Sequence, residues 1–300
     1  MFAFKNRKET FVSMIGAIEA GGTKMVMATG DETGAIFDRR EIPTTDPDQC
    51  IPQMISWFKE HHIDALGVAA FGPTGVNPAS KRFGQILETP KTAWRYFDFR
   101  GALYEGLQVP IGYDTDVNAA CLGEVVFGAA KQLDCVVYIT VGTGIGAGVM
   151  IDGRLLHGML HAEAGHILVT RAKGDAATSV CPYHQNCLEG VASGPAIEKR
   201  WGKTARELAH DDKVWELESS YLAQAISTYV LCYSPQRIIL GGGVMHQTQL
   251  FPQIREKTLD LLAGYITTSE LAAIDSYIVP ASCGGDQGIL GSIELGRRVL

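Results

Sequence analysis

The sequence predicts an α/β protein with mixed sheets, built as two similar halves. Three observations lead there. Short apolar runs of strand length are followed by longer amphipathic runs of helix length. Two of the strands pass through a glycine turn directly into another strand, as hairpins do, which argues against a purely parallel sheet. The two hairpins also match. With Ile18 set against Ile139, Gly21-Gly22-Thr23 falls on Gly142-Thr143-Gly144, and later turns follow at Gly30-Asp31-Glu32 and Asp152-Gly153. One supersecondary unit used twice predicts duplicated strand-turn-strand lobes.

In chain order, strands are expected over 14–18, 25–29, 65–70, 110–113, 135–141, 147–151 and 237–240, from their apolar and β-branched content. Apolar residues at helical spacing predict helices over 50–61, 117–130, 214–233 and 249–263. A last helical stretch, 287–300, is expected to return to the first half. A boundary near Asp116 then divides a smaller lobe, 14–115 plus 288–300, from a larger one, 116–287.

The chain has 300 residues, enough for two cores, with 46% hydrophobic and 20% charged residues. Its net charge of -7 and pI near 5.6 argue against nucleic acid or a membrane surface as partner, since both recruit basic fields. Residues 1–13 lack the apolar core of a signal peptide, and no run approaches membrane-spanning length. Seven dispersed cysteines do not form a disulfide framework, so a reducing cytoplasm is expected.

Glycine turns let backbone N–H groups converge on phosphate oxygens, because no side chain holds the ligand away. Thr23 and Thr143 add a hydroxyl beside each turn, and Lys24 adds a charge. Neither turn fits G-x-x-x-x-G-K-[ST] or a strict G-x-G-x-x-G, and each leads into a strand rather than a helix. The pair therefore suggests a phosphate clamp and speaks against a dinucleotide dehydrogenase. A third run, Gly241-Gly242-Gly243, follows a strand and precedes a helical stretch, where nucleotides commonly sit. Asp116 opens an apolar-periodic helix; it is read either as an N-cap or as a base taking a hydroxyl proton, with Asp114 its nearest rival.

His166, Cys181, His184 and Cys187 offer two imidazoles and two thiols, a donor set for a closed tetrahedral zinc site of structural type. Glu163 and Glu189 flank this cluster. Folding the loop around a metal would bring the two carboxylates together, well suited to gripping sugar hydroxyls.

These segments together resemble the ROK family of bacterial sugar kinases, within the actin/hexokinase/Hsp70-type ATPase superfamily. The resemblance runs from about Met14 to the C-terminus. It rests on Glu19-Ala-Gly-Gly-Thr-Lys24, Phe71-Gly-Pro73, Thr115-Asp-Val-Asn-Ala-Ala120, Gly142-Thr-Gly-Ile-Gly146, Glu163-Ala-Gly-His166, the knuckle with Glu189, Ser193-Gly-Pro195 and Gly241-Gly-Gly-Val244. It implies a two-lobed actin/hexokinase-like (ribonuclease H-like) fold with ATP and a sugar in the cleft, and Asp116 as the base. Gly21, Gly22, Thr23, Lys24, Gly142, Thr143 and Gly144 would surround the phosphates. Pro195, Gly241, Gly242, Gly243 and Val244 would lie near the adenosine. Gly72, Pro73, Glu163, His166 and Glu189 would meet the sugar, with His166 also a zinc ligand. Magnesium would accompany ATP, and a homodimer is implied.

Two departures from the family's glucokinases stand out: Thr115 where they carry Asn, and His184 as the middle knuckle ligand. With Thr89-Pro-Lys-x-x-Trp94, they resemble the bacterial fructokinase branch, which implies fructose as acceptor and mannose as a second substrate. Other kinases of the family, acting on glucose, mannose or N-acetylmannosamine, are the alternatives. A transcriptional regulator of the family would carry a DNA-binding domain before the first turn, whereas here thirteen residues precede Met14.

Overall fold

The computed structural model describes residues 13–300; of the segment read above as lacking a signal peptide, only Ser13 lies among them. In the first half, β1 (Ile15–Ala20), β2 (Lys24–Gly30) and β3 (Ile36–Pro43) form an antiparallel meander. Then α1 (Pro47–Glu60) leads to β4 (Ala65–Ala70), parallel to β1, and α2 (Phe99–Leu107) leads to β5 (Ile111–Thr115), parallel to β4. The sheet order is β3-β2-β1-β4-β5.

The second half repeats this plan. After α3 (Asp116–Val126), a second meander is made by β6 (Val136–Val141), β7 (Ile145–Ile151) and the short β8 (Arg154–Leu155). Three helices follow, α4 (Leu188–Ala192), α5 (Gly194–Trp201) and α6 (Asp212–Tyr233), before β9 (Arg237–Gly241). Then come α7 (Leu250–Leu262), α8 (Ser269–Ala272), α9 (Ile274–Tyr277), β10 (Ile278–Pro280) and α10 (Gln287–Arg297). The order is β10-β9-β6-β7-β8, the first sheet's order strand for strand. Ile18 pairs with Met27 on one side and Val68 on the other, and Ile139 pairs likewise with Ala147 and Leu240. The equivalence of the two residues in sequence is thus an equivalence in space.

The central strands are covered on both faces, so they read as unbroken apolar runs. The β4 segment is buried throughout. β3, unforeseen in the sequence, is an edge strand whose exposed Asp38, Arg39, Arg40 and Glu41 hide the apolar signal and discourage pairing with another chain. Helix starts follow capping chemistry. Asp46 accepts the Gln49 N–H at 3.0 Å ahead of Pro47, and Thr115 accepts the Asn118 N–H at 3.1 Å. Thr115 is therefore the N-cap of α3, and Asp116 is left inside the first turn, relieved of the capping role.

α10 ends at Arg297, three residues short of the sequence expectation, and packs against β1, β4 and α3. Ser292 Oγ donates to the Ile18 carbonyl at 3.0 Å. A Cβ on Gly291 would lie 1.7 Å from the Ala119 carbonyl oxygen, so the α3–α10 crossing requires glycine there. Separate apolar clusters fill the halves, one around Met54, Phe58, Trp94 and Phe99, the other around Ile139, Trp215, Tyr229 and Ile238. Among the described residues, no helix is long and apolar enough to cross a membrane.

Candidate active site

The end of β5 and the start of α3 set two aspartates side by side in opposite circumstances. Asp114 is buried and fully engaged: it accepts from the Thr115 N–H (2.8 Å), from Asn118 Nδ2 (2.7 Å) and from His157 Nε2 (2.8 Å). Asp116 accepts a side-chain hydrogen bond from the N–H of Val117, in its own helical turn, at 2.9 Å. Enclosure in the cleft, then the charge of Glu163, push its carboxyl up to about 6. A carboxylate with spare acceptor capacity and a pKa near the operating range can take up a proton; Asp114 is already held by three donors.

At the equivalent end of β1 stands Glu19, a residue the sequence reading left without a role. Burial, and then the charge of Asp116 and of Asp286, push its carboxyl up to about 7 against the opposing pull of Arg39. Gly21 N–H donates to the Lys24 carbonyl at 3.0 Å, while Thr44 ties back to the Gly21 and Thr23 carbonyls at 2.8 and 2.9 Å. The N–H groups of Gly22 and Thr23 have no acceptor among the described residues. Lys24 points elsewhere than expected: its ammonium pairs with Glu41 at 2.8 Å on the neighbouring strand.

The second turn is built alike. Gly142 N–H donates to the Gly144 carbonyl at 2.9 Å, and the N–H groups of Thr143 and Gly144 are again without acceptors among the described residues. Each turn thus offers two open N–H donors, an arrangement suited to anions. Gly142, Thr143, Pro195, Gly243 and Val244 line one cavity of about 420 Å³, joined by Glu198, Thr204 and Arg206, which no motif had marked. Gly241 and Gly242, also expected beside the adenosine, are not among that cavity's lining residues. A Cβ on Gly241 would lie 2.3 Å from Tyr138 Oη, and Gly242 holds φ at +90° against Val141. A larger cavity of about 650 Å³ lies beside Asp175, Arg200 and Trp201 and includes none of these residues.

The ligand atoms of His166, Cys181, His184 and Cys187 lie within 4.8 Å of one another. Cys181 Sγ is 3.8 Å from His166 Nδ1 and 3.6 Å from His184 Nδ1. Donors about 2.0–2.3 Å from a shared tetrahedral cation would stand at roughly this spacing. His166 turns its other nitrogen, Nε2, to Glu189 Oε1 at 3.8 Å, so one imidazole faces the cluster and the carboxylate at once. Glu189 Oε2 also accepts the Ile145 N–H at 3.0 Å, which fixes it under the second turn. Glu163, 44% of whose side chain is exposed, is nonetheless hemmed in at its carboxyl; burial and the charge of Glu189 push it up to about 7.

Facing them is the Phe71-Gly72-Pro73 loop after β4. A Cβ on Gly72 would meet His161 Cε1 at 3.2 Å and Glu163 Oε1 at 3.3 Å, so Gly72 lies directly against the predicted sugar carboxylate. His161 accepts the Thr74 N–H at 3.2 Å and lies 3.5 Å from Glu163, and burial lowers its pKa. His157 and His161, both missed in the sequence, thereby connect the second half to the first.

A family model described as the ROK family matches residues 15–299. The chain belongs to the ROK family. A fructokinase of Pediococcus pentosaceus is 46% identical over 96% of this chain and 99% of its own length. A fructokinase of Lactococcus lactis subsp. cremoris is 40% identical over 93% of this chain and 96% of its own. Among solved structures, a ROK hexokinase from Thermus thermophilus has a TM-score of 0.78 at 23% identity, covering 95% of this chain and 98% of that one. The ROK member described here has the two-lobed actin/hexokinase-like fold, with its strand-turn-strand hairpins duplicated.

Proposed function

We propose that the chain is an ATP-dependent fructokinase, converting D-fructose and ATP to fructose 6-phosphate and ADP. The fructokinases at 46% and 40% identity over nearly the full length support the substrate. The single observation that carries the mechanism is the contrast between Asp114, held by three donors, and Asp116, held by one. Asp116 accepts the proton of the sugar's 6-hydroxyl as that oxygen attacks the γ-phosphorus and the bond to ADP breaks. The N–H groups of Gly22, Thr23, Thr143 and Gly144 receive phosphate oxygens, and the cavity of Pro195, Gly243 and Val244 receives the adenosine. Glu163, His166 and Glu189 grip sugar hydroxyls opposite Gly72 and Pro73.

Thr115 sharpens the choice of sugar. Its hydroxyl is buried and engaged as a helix cap, so it makes no contact with a ligand where an Asn side chain could reach one. The surplus negative charge around Glu19, with Asp116 and Asp286 close by, fits a magnesium ion, which Glu19 would hold. When bound, magnesium neutralises charge on the phosphates. The four-residue knuckle fits zinc: burial and then Cys181 raise the Cys187 thiol, and a cation would offset that cost of ionisation. Lobe boundaries at 115/116 and 287/288, a homodimer and a cytoplasmic location complete the proposal, with sedimentation deciding the assembly.

Turnover of a sugar panel with ATP and magnesium tests the reading. Fructose should lead, mannose follow and glucose lag. A preference for N-acetylmannosamine would overturn the choice of acceptor.

A further inference from the structure

We propose that Lys91 is a catalytic residue whose ammonium grips the phosphoryl group as it passes between nucleotide and sugar. The proposal rests on the site reading above and adds a side-chain cation, which that reading lacks once Lys24 is paired to Glu41. The cleft gathers Glu19, Asp116, Glu163 and Glu189, yet the lysine next to the first turn, Lys24, is paired to Glu41. Phosphoryl transfer asks chiefly for positioning and for positive charge at the moving group.

Lys91 occupies the required place. Its Nζ donates to the Gly22 carbonyl oxygen and lies 5.8 Å from the centroid of the Phe71 ring. It therefore stands between the first phosphate turn and the loop whose next residues, Gly72 and Pro73, face the sugar. Nearby cations are matched with acids, Arg95 with Glu88 at 2.9 Å and Arg39 with Asp286 at 2.5 Å. Lys91 enters no ion pair among the described residues. A carbonyl satisfies one of an ammonium's three N–H bonds, which leaves two for phosphate oxygens. The same contact covers an oxygen that would otherwise repel an incoming phosphate.

The placement is also rigid. Arg95 donates to the Thr89 carbonyl at 3.3 and 3.0 Å, and Trp94, 1% exposed, donates from Nε1 to the Thr45 carbonyl at 2.7 Å. The preceding residue, Thr44, is the one that ties down Gly21 and Thr23. One short link thus holds both the turn and the anchor of the lysine, so their separation is fixed without any ligand.

The test compares Lys91→Met, Lys91→Arg and Asp116→Asn by steady-state kinetics and by calorimetric titration with fructose and with fructose 6-phosphate. In Lys91→Met, kcat should fall about 100-fold or more, with the KM for fructose within about 3-fold of the parent. Fructose should bind that variant normally while fructose 6-phosphate binds about 10-fold more weakly. Lys91→Arg keeps the charge and the cover over Phe71, and should regain at least about 10-fold of the lost kcat. A Lys91→Met kcat within about 2-fold of the parent, beside an inactive Asp116→Asn enzyme, sinks the assignment of Lys91 and spares the site. An active Asp116→Asn enzyme sinks the site reading and this proposal with it. A loss in Lys91→Met that appears equally in fructose binding would make the residue part of the sugar pocket and overturn the role proposed.

Discussion

The two halves share a sheet order, a register and a pair of open N–H donors at the first turn, and differ in everything brought to those turns from elsewhere. One residue after Ile18 the first half has Glu19; one residue after Ile139 the second has Thr140. Lys91 lies over the first turn, whereas Glu189 lies beneath the second, with its Oε2 2.7 Å from where a Gly144 Cβ would stand. A duplicated scaffold supplies a pair of open backbone N–H donors twice. The segments inserted after each hairpin decide which side chains each turn meets, Lys91 at the first and Glu189 at the second.

Chelation should separate the halves most sharply, because the cluster of His166, Cys181, His184 and Cys187 belongs wholly to the second. We expect about one zinc ion per chain by elemental analysis, and a chelated protein whose Tm is lower by about 10 °C or more. A metal-free preparation of full stability would leave the knuckle without a structural role. Next in size, Asp116→Asn should lower kcat about 1000-fold while fluorescent-nucleotide titration shows unchanged ATP affinity. Near-normal turnover would place the base elsewhere.

The glycines probe the turns directly. Gly144→Ala drives its Cβ into Glu189, so the KM for fructose should rise about 10-fold. At Gly22 a Cβ would meet Lys91 Cε at a comfortable 3.7 Å, so Gly22→Ala should fold normally and any loss should fall on ATP. Equal effects of the two on both substrates would erase the distinction between the turns.

The smallest effect concerns pH. Asp116 must be unprotonated to act, so kcat should decline as pH falls below about 6. Stability runs the other way. Glu19, Asp116 and Glu163 titrate higher in the folded protein than in the unfolded chain, so folding takes up protons between the two sets of values. Ligand-free Tm should therefore rise modestly from pH 8 to about 6, and saturating magnesium should flatten that slope; a fall in Tm over this range would contradict the crowding of charge.

Much of this was legible in the sequence because it is local. Strand 65–70, the two glycine turns and the donors between His166 and Cys187 carry their chemistry in short spacings. What stayed hidden is carried by long approaches. Lys91 reaches Gly22 across 69 positions, and His157 reaches Asp114 across 43. Arg206 joins the cavity of Pro195 and Val244 from the irregular segment after α5, where no pattern marks it. Lys24 was the opposite case: adjacency suggested a phosphate contact, but a side chain on a strand also faces its neighbour, and Glu41 was there.

The seat of α10 bears on how the molecule comes to be made. Ser292 meets Ile18 across 274 positions, and Ile289 and Ile293 complete the apolar cluster that covers Ile15 and Ala17. During synthesis, then, the first sheet emerges early and waits with one face uncovered while the whole second half is translated. The larger apolar cluster of the second half, around Ile139, Trp215 and Ile238, contains no residue of α10 and closes without that wait. The lobe that leaves the ribosome first should be the last to fold, and a chain halted before residue 287 should display an open apolar face for chaperones to bind.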